Sequence, residues 1–199
     1  MDTTSTRRRT SIPPRDGRNA ERRRMVENQI VARGVESEAV LAAMSEVPRE
    51  NFVAPEAVAF AYHDSPLPIA EGQTISQPYI VAVMAEAAEI VPGDRVLEVG
   101  TGSGYGAAIL SRVADRVYTI ERHRGLAEAA RGRYRELGYD NVVVRIGDGT
   151  LGWPDEAPFD AIVVTAGGPV QVPSALLEPL APGGRLVLPV GETLETQDL

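Results

Sequence analysis

The 199-residue chain has no cysteine. That excludes a disulfide framework and thiol catalysis, and it fits a reducing compartment. It also has no lysine: all 20 basic residues are arginine, a bias read as one of base composition. No apolar run is long enough to span a bilayer. Arg7, Arg8 and Arg9 have no apolar stretch behind them, so the N-terminus does not read as a secretory signal. The expectation is a cytoplasmic protein that makes no use of a membrane.

Charge is unevenly placed. The first 24 residues hold eight arginines against Asp2, Asp16 and Glu21, a net of +5. The rest holds 12 arginines against 25 acids, a net of −13, which gives −8 overall. Residues 1–20 are rich in Thr, Ser, Arg and Pro and read as a disordered tail. A nucleic-acid-binding arm is the sharper alternative, but the acidic remainder supplies no partner surface.

What is present centres on one stretch, Arg95-Val96-Leu97-Glu98-Val99-Gly100-Thr101-Gly102-Ser103-Gly104-Tyr105. It reads as a buried strand, a glycine-rich turn and the opening of a helix that carries Ala107, Ile109, Leu110 and Val113. The spacing G-x-G-x-G differs from the dinucleotide fingerprint, because Tyr105 stands where the third glycine would be. A second strand, Arg116 to Ile120, ends in Glu121, where an acid can accept hydrogen bonds from ribose hydroxyls. The bland reading of Glu121 is a solvated loop acid beside Arg122 and Arg124.

Ahead of this core, a helix is expected from Glu21 to Gly34, a second from Ser37 to Val47, and a short one from Pro55 to Phe60. Residues 61–79 hold three prolines among Tyr, His, Asp, hydroxyl and Gln residues and read as a long polar loop suited to substrate contacts. Ser76 is also expected to cap a helix over Ile80–Ile90, with Pro78 in its first turn. His63 and His123 are read as structural. Beyond Glu121, a helix leads to a third strand, Val142–Ile146, and to Asp148-Gly149. There Asp148 suits an adenine amino group or simply a turn. A fourth strand runs from Phe159 to Thr165. A helix over Ser174–Leu180, a turn at Pro182-Gly183-Gly184 and a fifth strand over Arg185–Val190 complete the pattern. Strands alternating with helices predict a mostly parallel sheet with ligand groups at the strands' C-terminal ends: Gly100, Glu121, Asp148 and Thr165.

From about Met25 to Gly191 the chain resembles the protein-L-isoaspartate (D-aspartate) O-methyltransferase family. The likeness rests on Val47-Pro48-Arg49, Phe52-Val53, Tyr62, Asp64-Ser65-Pro66 and Gly72-Gln73-Thr74-Ile75-Ser76-Gln77-Pro78. The core adds Leu97 to Tyr105, Gly147-Asp148-Gly149 and Gly183-Gly184-Arg185-Leu186. It implies a Rossmann-like α/β methyltransferase fold with helices on both faces. The expected layout is the tail (1–20) and one domain (21–199), made of a helical cap and substrate loop (21–79) and a cofactor-binding core (80–199). It also implies methyl transfer from S-adenosyl-L-methionine to the α-carboxylate of L-isoaspartyl residues in damaged proteins or peptides. The ester then collapses to a succinimide, which hydrolyses partly to aspartate. Ser76 carries the catalytic role by this likeness. Cofactor contacts fall on Gln73, Thr74, Ile75, Ser76, Glu98, Gly100, Gly102, Gly104, Glu121, Asp148 and Gly149, and no metal is expected.

Relatives often carry alanines where this chain has Gly167-Gly168, and they continue past the fifth strand into a hairpin for which this chain is expected to lack residues. Rival readings are a methyltransferase for a dedicated biosynthetic peptide, a non-catalytic homologue, and a nicotinamide oxidoreductase. The last is opposed by the glycine spacing. The expected working form is a monomer that binds no nucleic acid.

Overall fold

The computed structural model describes residues 18–167, 173–193 and 196–198. The arginine-rich segment up to residue 17, and Gly168, lie outside the described residues.

Helix α1 (Asn19–Met25) starts slightly ahead of the expected Glu21 and continues through a π-helical turn (Val26–Ile30) and a 3₁₀ turn (Val31–Arg33). Gly34, at φ 92°, ends it. Helix α2 (Glu38–Glu46) begins where the Ser37 hydroxyl accepts from Val40 N–H, and it ends before Pro48. Two 3₁₀ turns follow, Arg49–Phe52 and Pro55–Phe60. The polar loop carries a small antiparallel pair, β1 (Leu67–Pro68) and β2 (Thr74–Ile75). Helix α3 spans Pro78–Ala87, not Ile80–Ile90. Its N-cap is Gln77, not Ser76, and no side chain caps it. It stops early because Glu89 turns to φ 44°, outside helical space.

The core then alternates: β3 (Arg95–Val99), α4 (Tyr105–Val113), β4 (Arg116–Glu121), α5 (Arg124–Leu137), β5 (Val142–Ile146), β6 (Phe159–Val164), α6 (Ser174–Leu177) and β7 (Leu180–Val187). The five strands β3–β7 form one parallel sheet in the order β5-β4-β3-β6-β7. The chain therefore winds outward from β3 on one side, returns, and continues from β6 on the other. The crevice between the ends of β3 and β6 is the switch point where such sheets bind ligands.

The last core strand differs from expectation. The turn Pro182-Gly183-Gly184 lies inside β7 as a register irregularity rather than ahead of it. Gly184 makes that possible: a Cβ there would stand 3.0 Å from Asp160 O and 3.1 Å from Phe159 O. Beyond β7, two short strands, β8 (Val190–Thr193) and β9 (Thr196–Asp198), pair antiparallel as a separate sheet. The sequence pattern predicts no such pair. No helix among the described residues is long and apolar enough to cross a membrane.

Side chains alternate across the sheet as strand geometry requires. Val96, Val117, Ala161 and Val163 join the cluster that also holds Met25, Ile30, Met44 and Phe52 of the N-terminal segments. Leu97, Tyr118 and Ile162 face the other way and pack with Phe159 and Leu176. Trp153 packs edge-on against Tyr118 on this second face.

One polar inclusion breaks the first face. Glu98 and Thr119 are register partners on β3 and β4, and both are buried. The Thr119 hydroxyl donates to Glu98 Oε2 at 2.6 Å and lies 2.6 Å from the Thr101 hydroxyl. Burial pushes the Glu98 pKa up from 4.5 to about 8. The Thr119 bond opposes the shift, the charge of Glu121 adds to it, and Ala107 N–H opposes it. Between those two pH values the folded chain keeps a proton that the unfolded chain has lost. Stability therefore falls as pH rises through that window. Glu98→Gln is expected to flatten the slope in urea unfolding curves taken across it; an undiminished slope would assign the titration to other groups.

Candidate active site

The site is built where β3 ends. Thr165 N–H and Ala166 N–H, just past β6, donate to Val99 O at 2.9 and 3.2 Å. Gly100 N–H and Thr101 N–H donate to Ile120 O of β4 at 2.9 and 3.2 Å. The Thr165 hydroxyl closes the joint on Gly100 O at 2.7 Å. Gly100 sits at φ 104°, and a Cβ there would stand 2.8 Å from Ala166 N, so both conformation and space demand glycine.

The turn then passes from Gly102 to Gly104, the N-cap of α4 at φ 94°. Gly104 does not line the cleft. It packs against α5, where the Tyr134 hydroxyl donates to its carbonyl at 2.9 Å and would clash with any Cβ. Gly102 differs: a Cβ there would meet nothing nearer than Ile69 Cδ1 at 3.7 Å. Its bare face opens toward the loop that carries β1 and β2.

Glu121 lies under this turn, buried and not solvated as the bland reading has it. Its Oε2 accepts from Gly102 N–H and its Oε1 from His123 N–H, each at 2.9 Å. The carboxylate thus ties the glycine turn to the start of α5 and keeps a spare lone pair on each oxygen.

Across the crevice, Thr74, Ile75 and Ser76 face Glu98, Gly100, Thr101, Gly102, Ser103 and Thr165 around one cleft, with Val81 of α3 and Tyr105 and Gly106 of α4 at its margins. Among the described residues the Ser76 hydroxyl has no hydrogen-bond partner. Of the residues expected to bind cofactor, Thr74, Ile75, Ser76, Glu98, Gly100 and Gly102 converge here. Gln73 does not; its side-chain amide donates to Glu71 O at 3.2 Å. Asp148 caps its own turn, accepting on Oδ1 from Thr150 N–H at 2.9 Å and from the Thr150 hydroxyl at 2.7 Å. Those bonds hold its exposed carboxyl below the ordinary value. Gly149 packs on β3, where a Cβ would stand 2.3 Å from Val99 Cγ1, so Asp148 is held close to the strand's end.

Neither histidine lines the cleft. His63 packs edge-on against Phe60, and His123 Nδ1 lies 3.8 Å from Glu71 Oε2. Among the described residues no group of three or more His, Asp or Glu is placed to hold a metal ion. Thr101, Ser103 and Thr119 contribute without having been expected to. Two polar residues, Glu98 and Thr119, inside otherwise apolar strands were the available signal.

A larger cavity, about 460 Å³, lies between α5 and β5 and is lined by Arg131, Tyr139, Val142 and Val144 among others. It shares no lining residue with the cleft and also gathers Tyr134, Arg135 and Asp140. The cleft differs from it in lying at the switch point between β3 and β6, where sheets of this kind bind ligands.

Comparison with known proteins agrees. The family model for protein-L-isoaspartate(D-aspartate) O-methyltransferase matches residues 20–199. A protein-L-isoaspartate O-methyltransferase of Protochlamydia amoebophila is 59% identical over 175 residues, 88% of this chain and 83% of that protein. One of Pelotomaculum thermopropionicum is 59% identical over 177 residues, 89% and 77% of the two chains. Among solved structures, a protein-L-isoaspartate O-methyltransferase superposes with TM-score 0.75 at 35% identity, covering 84% of this chain and 55% of that longer one. A Plasmodium falciparum structure described as a putative protein-L-isoaspartate O-methyltransferase, in complex with S-adenosyl-L-homocysteine, gives TM-score 0.75 at 26% identity over 88% and 86%. With the family model matched along nearly all of its described length, the chain belongs to the protein-L-isoaspartate(D-aspartate) O-methyltransferase family.

Proposed function

We propose that this chain transfers the methyl group of S-adenosyl-L-methionine to the free carboxylate of an L-isoaspartyl residue in a damaged protein or peptide. The observation that carries the reading is a serine hydroxyl, without a hydrogen-bond partner among the described residues, facing a bare glycine turn across one cleft.

The residues present fit the cofactor. Gly102 offers a surface that a side chain would fill, and Glu121 offers acceptor lone pairs beside it, suited to a vicinal diol. When bound, the cofactor supplies an electrophilic methyl on a sulfonium sulfur. The cleft's own volume is about 40 Å³, against roughly 300–1,000 Å³ for small-molecule sites. Admitting a nucleoside-sized ligand therefore requires the cleft to open.

The chain's residues then have only to bind, orient and exclude water. A carboxylate is ionised at neutral pH, so its attack on a methyl carbon needs no general base. Ser76 donates its hydroxyl to one carboxylate oxygen and aims the other. Ile75 and Val81 are apolar and close the cleft against water. Alignment of nucleophile, carbon and leaving group is the main source of rate. The same reading takes the chain as a cytoplasmic monomer without nucleic-acid, membrane or metal partners; its acidic balance outside the first 24 residues supports the first of these exclusions.

The test is transfer of labelled methyl groups to paired peptides, one with L-isoaspartate and one with L-aspartate at the same position. Base-labile label is expected on the isoaspartyl peptide alone, and label on neither would refute the reading. Ser76→Ala is expected to lower kcat/KM by about 10–100-fold, the effect of losing one hydrogen bond to a charged group. Its cofactor affinity should stay within about twofold, since that donor serves the substrate. Glu121→Ala should do the opposite at the binding stage. Calorimetric titration with S-adenosyl-L-homocysteine should show affinity about tenfold weaker or worse, because the turn loses its tie and the diol its acceptor. Wild-type affinity in a folded Glu121→Ala protein would remove Glu121 from the cofactor site.

A further inference from the structure

A charged cluster that methyl transfer does not itself require stands at the start of α3. Asp64 Oδ2 accepts from Arg33 Nη1 at 2.7 Å and from Gln77 Nε2 at 3.2 Å. The Arg33 guanidinium carbon also lies 3.3 Å from the centre of the Tyr79 ring. Arg33 thus reaches from the end of the first helical segment to the first turn of α3, held by a carboxylate and an aromatic face together. Gln77 and Tyr79 follow Ser76 closely in the chain, so both contacts fall on the backbone that presents the serine.

Asp64 is a fixed post. Its segment is anchored independently of α3. Arg49, fully buried, donates Nε to Ala61 O at 2.8 Å. Gln29 donates its side-chain amide to Tyr62 O at 2.9 Å. The Tyr62 hydroxyl is held between Arg22 and Glu50. The other Asp64 oxygen, Oδ1, is buried and has no hydrogen-bond partner among the described residues.

Ser76 is, by contrast, held by little of its own. Its hydroxyl has no partner among the described residues, and the N-cap position after it uses no side-chain cap. The Gln77 amide, which could have turned back to the helix end, is committed to Asp64 instead. Asp64 reaches Gln77, the residue after Ser76, so an uncompensated Asp64 charge would oppose the approach of a carboxylate to that segment, and Arg33 is paired with it.

We propose that Asp64 is a positioning residue for Ser76, acting through Gln77, and that Arg33 is the counter-charge that lets this carboxylate stand beside an anion-binding serine. The proposal rests on the reading of Ser76 as the group that receives the substrate carboxylate. It makes the Arg33–Asp64 pair a determinant of how well the chain accepts anionic peptides.

The test combines kinetics with a measurement that needs no substrate. Gln77→Met keeps the side chain's length and removes the amide. It is expected to raise KM for the isoaspartyl peptide about tenfold, as for a lost bond to a charged group, with cofactor affinity held within about twofold. Arg33→Ala leaves Asp64 uncompensated. Its KM should rise about fivefold at low salt and fall back toward wild type near about 0.5 M salt, where surface charges are screened. The double variant Arg33→Ala, Asp64→Asn has no charge to screen and should lose that salt dependence. Hydrogen exchange of the amides of residues 74–81, without peptide, should be faster in Gln77→Met and in Asp64→Ala than in wild type. Should Asp64→Ala not fold, Asp64→Asn and Gln77→Met decide the matter. Wild-type KM in Gln77→Met, or a KM increase in Arg33→Ala that ignores salt, would overturn the proposal. Failure of the wild-type chain to methylate the peptide would sink the reading of Ser76, while the exchange data would still report whether Asp64 holds that segment.

Discussion

The close approach of β3 and β6 at Gly100 is the constraint on which the rest of the site depends. A backbone nitrogen would lie 2.8 Å from any side-chain carbon placed there. Because the position is bare, two amides past β6 reach Val99 O and the Thr165 hydroxyl reaches Gly100 O. The end of β3 is thereby fixed between β4 and β6, and the turn that follows has one path. That path sets Gly102 over Glu121 and Gly104 against Tyr134. The turn itself costs little reorganisation when a ligand arrives, so the opening that the narrow cleft needs falls to other walls, and one side of the site stays aligned as a reaction driven by alignment requires.

The glycines of this turn look interchangeable in the sequence, and in the structure they are not. Gly100 yields to β6, Gly104 to α5, and Gly106 to the Glu98 carboxyl, where a Cβ would stand 2.3 Å away. Only Gly102 is open toward the opposite loop. The strand–turn–helix pattern was legible because it depends on local conformation and on apolar runs. The division of roles was not legible, because it depends on what other elements bring to within a few ångströms.

The same distinction runs through the candidate residues. The alternation of strands and helices in a parallel sheet, the acid at the tip of β4 and the placement of Ser76 on a polar loop followed from periodicity, from turn residues and from family likeness. Ser76 as a helix cap did not hold, since Pro78 begins the helix and leaves Gln77 at the boundary. Asp148 carries the bland role it was allowed, capping its own turn, while Gly149 sets it beside β3. The destination of a flexible amide or carboxylate, such as Gln73 on Glu71 O or Gln77 on Asp64, has no periodic signature at all. These partners are distant in sequence or local by accident of a turn, and only packing selects them.

Two acids at the heart of the site show how environment assigns roles that identity does not. Glu98 and Glu121 belong to adjacent strands, and the charge of Glu121 is among the influences on Glu98. Two carboxylates so coupled resist ionising together. The fold gives Glu121 two backbone N–H groups, from Gly102 and His123, and gives Glu98 deeper burial beside the Thr119 hydroxyl and Ala107 N–H. One accepts hydrogen bonds from two backbone N–H groups under the glycine turn. The other keeps its proton near neutral pH and serves the sheet interior as a neutral group. The strand register that pairs Glu98 with Thr119 is therefore as much a part of the site as the turn itself.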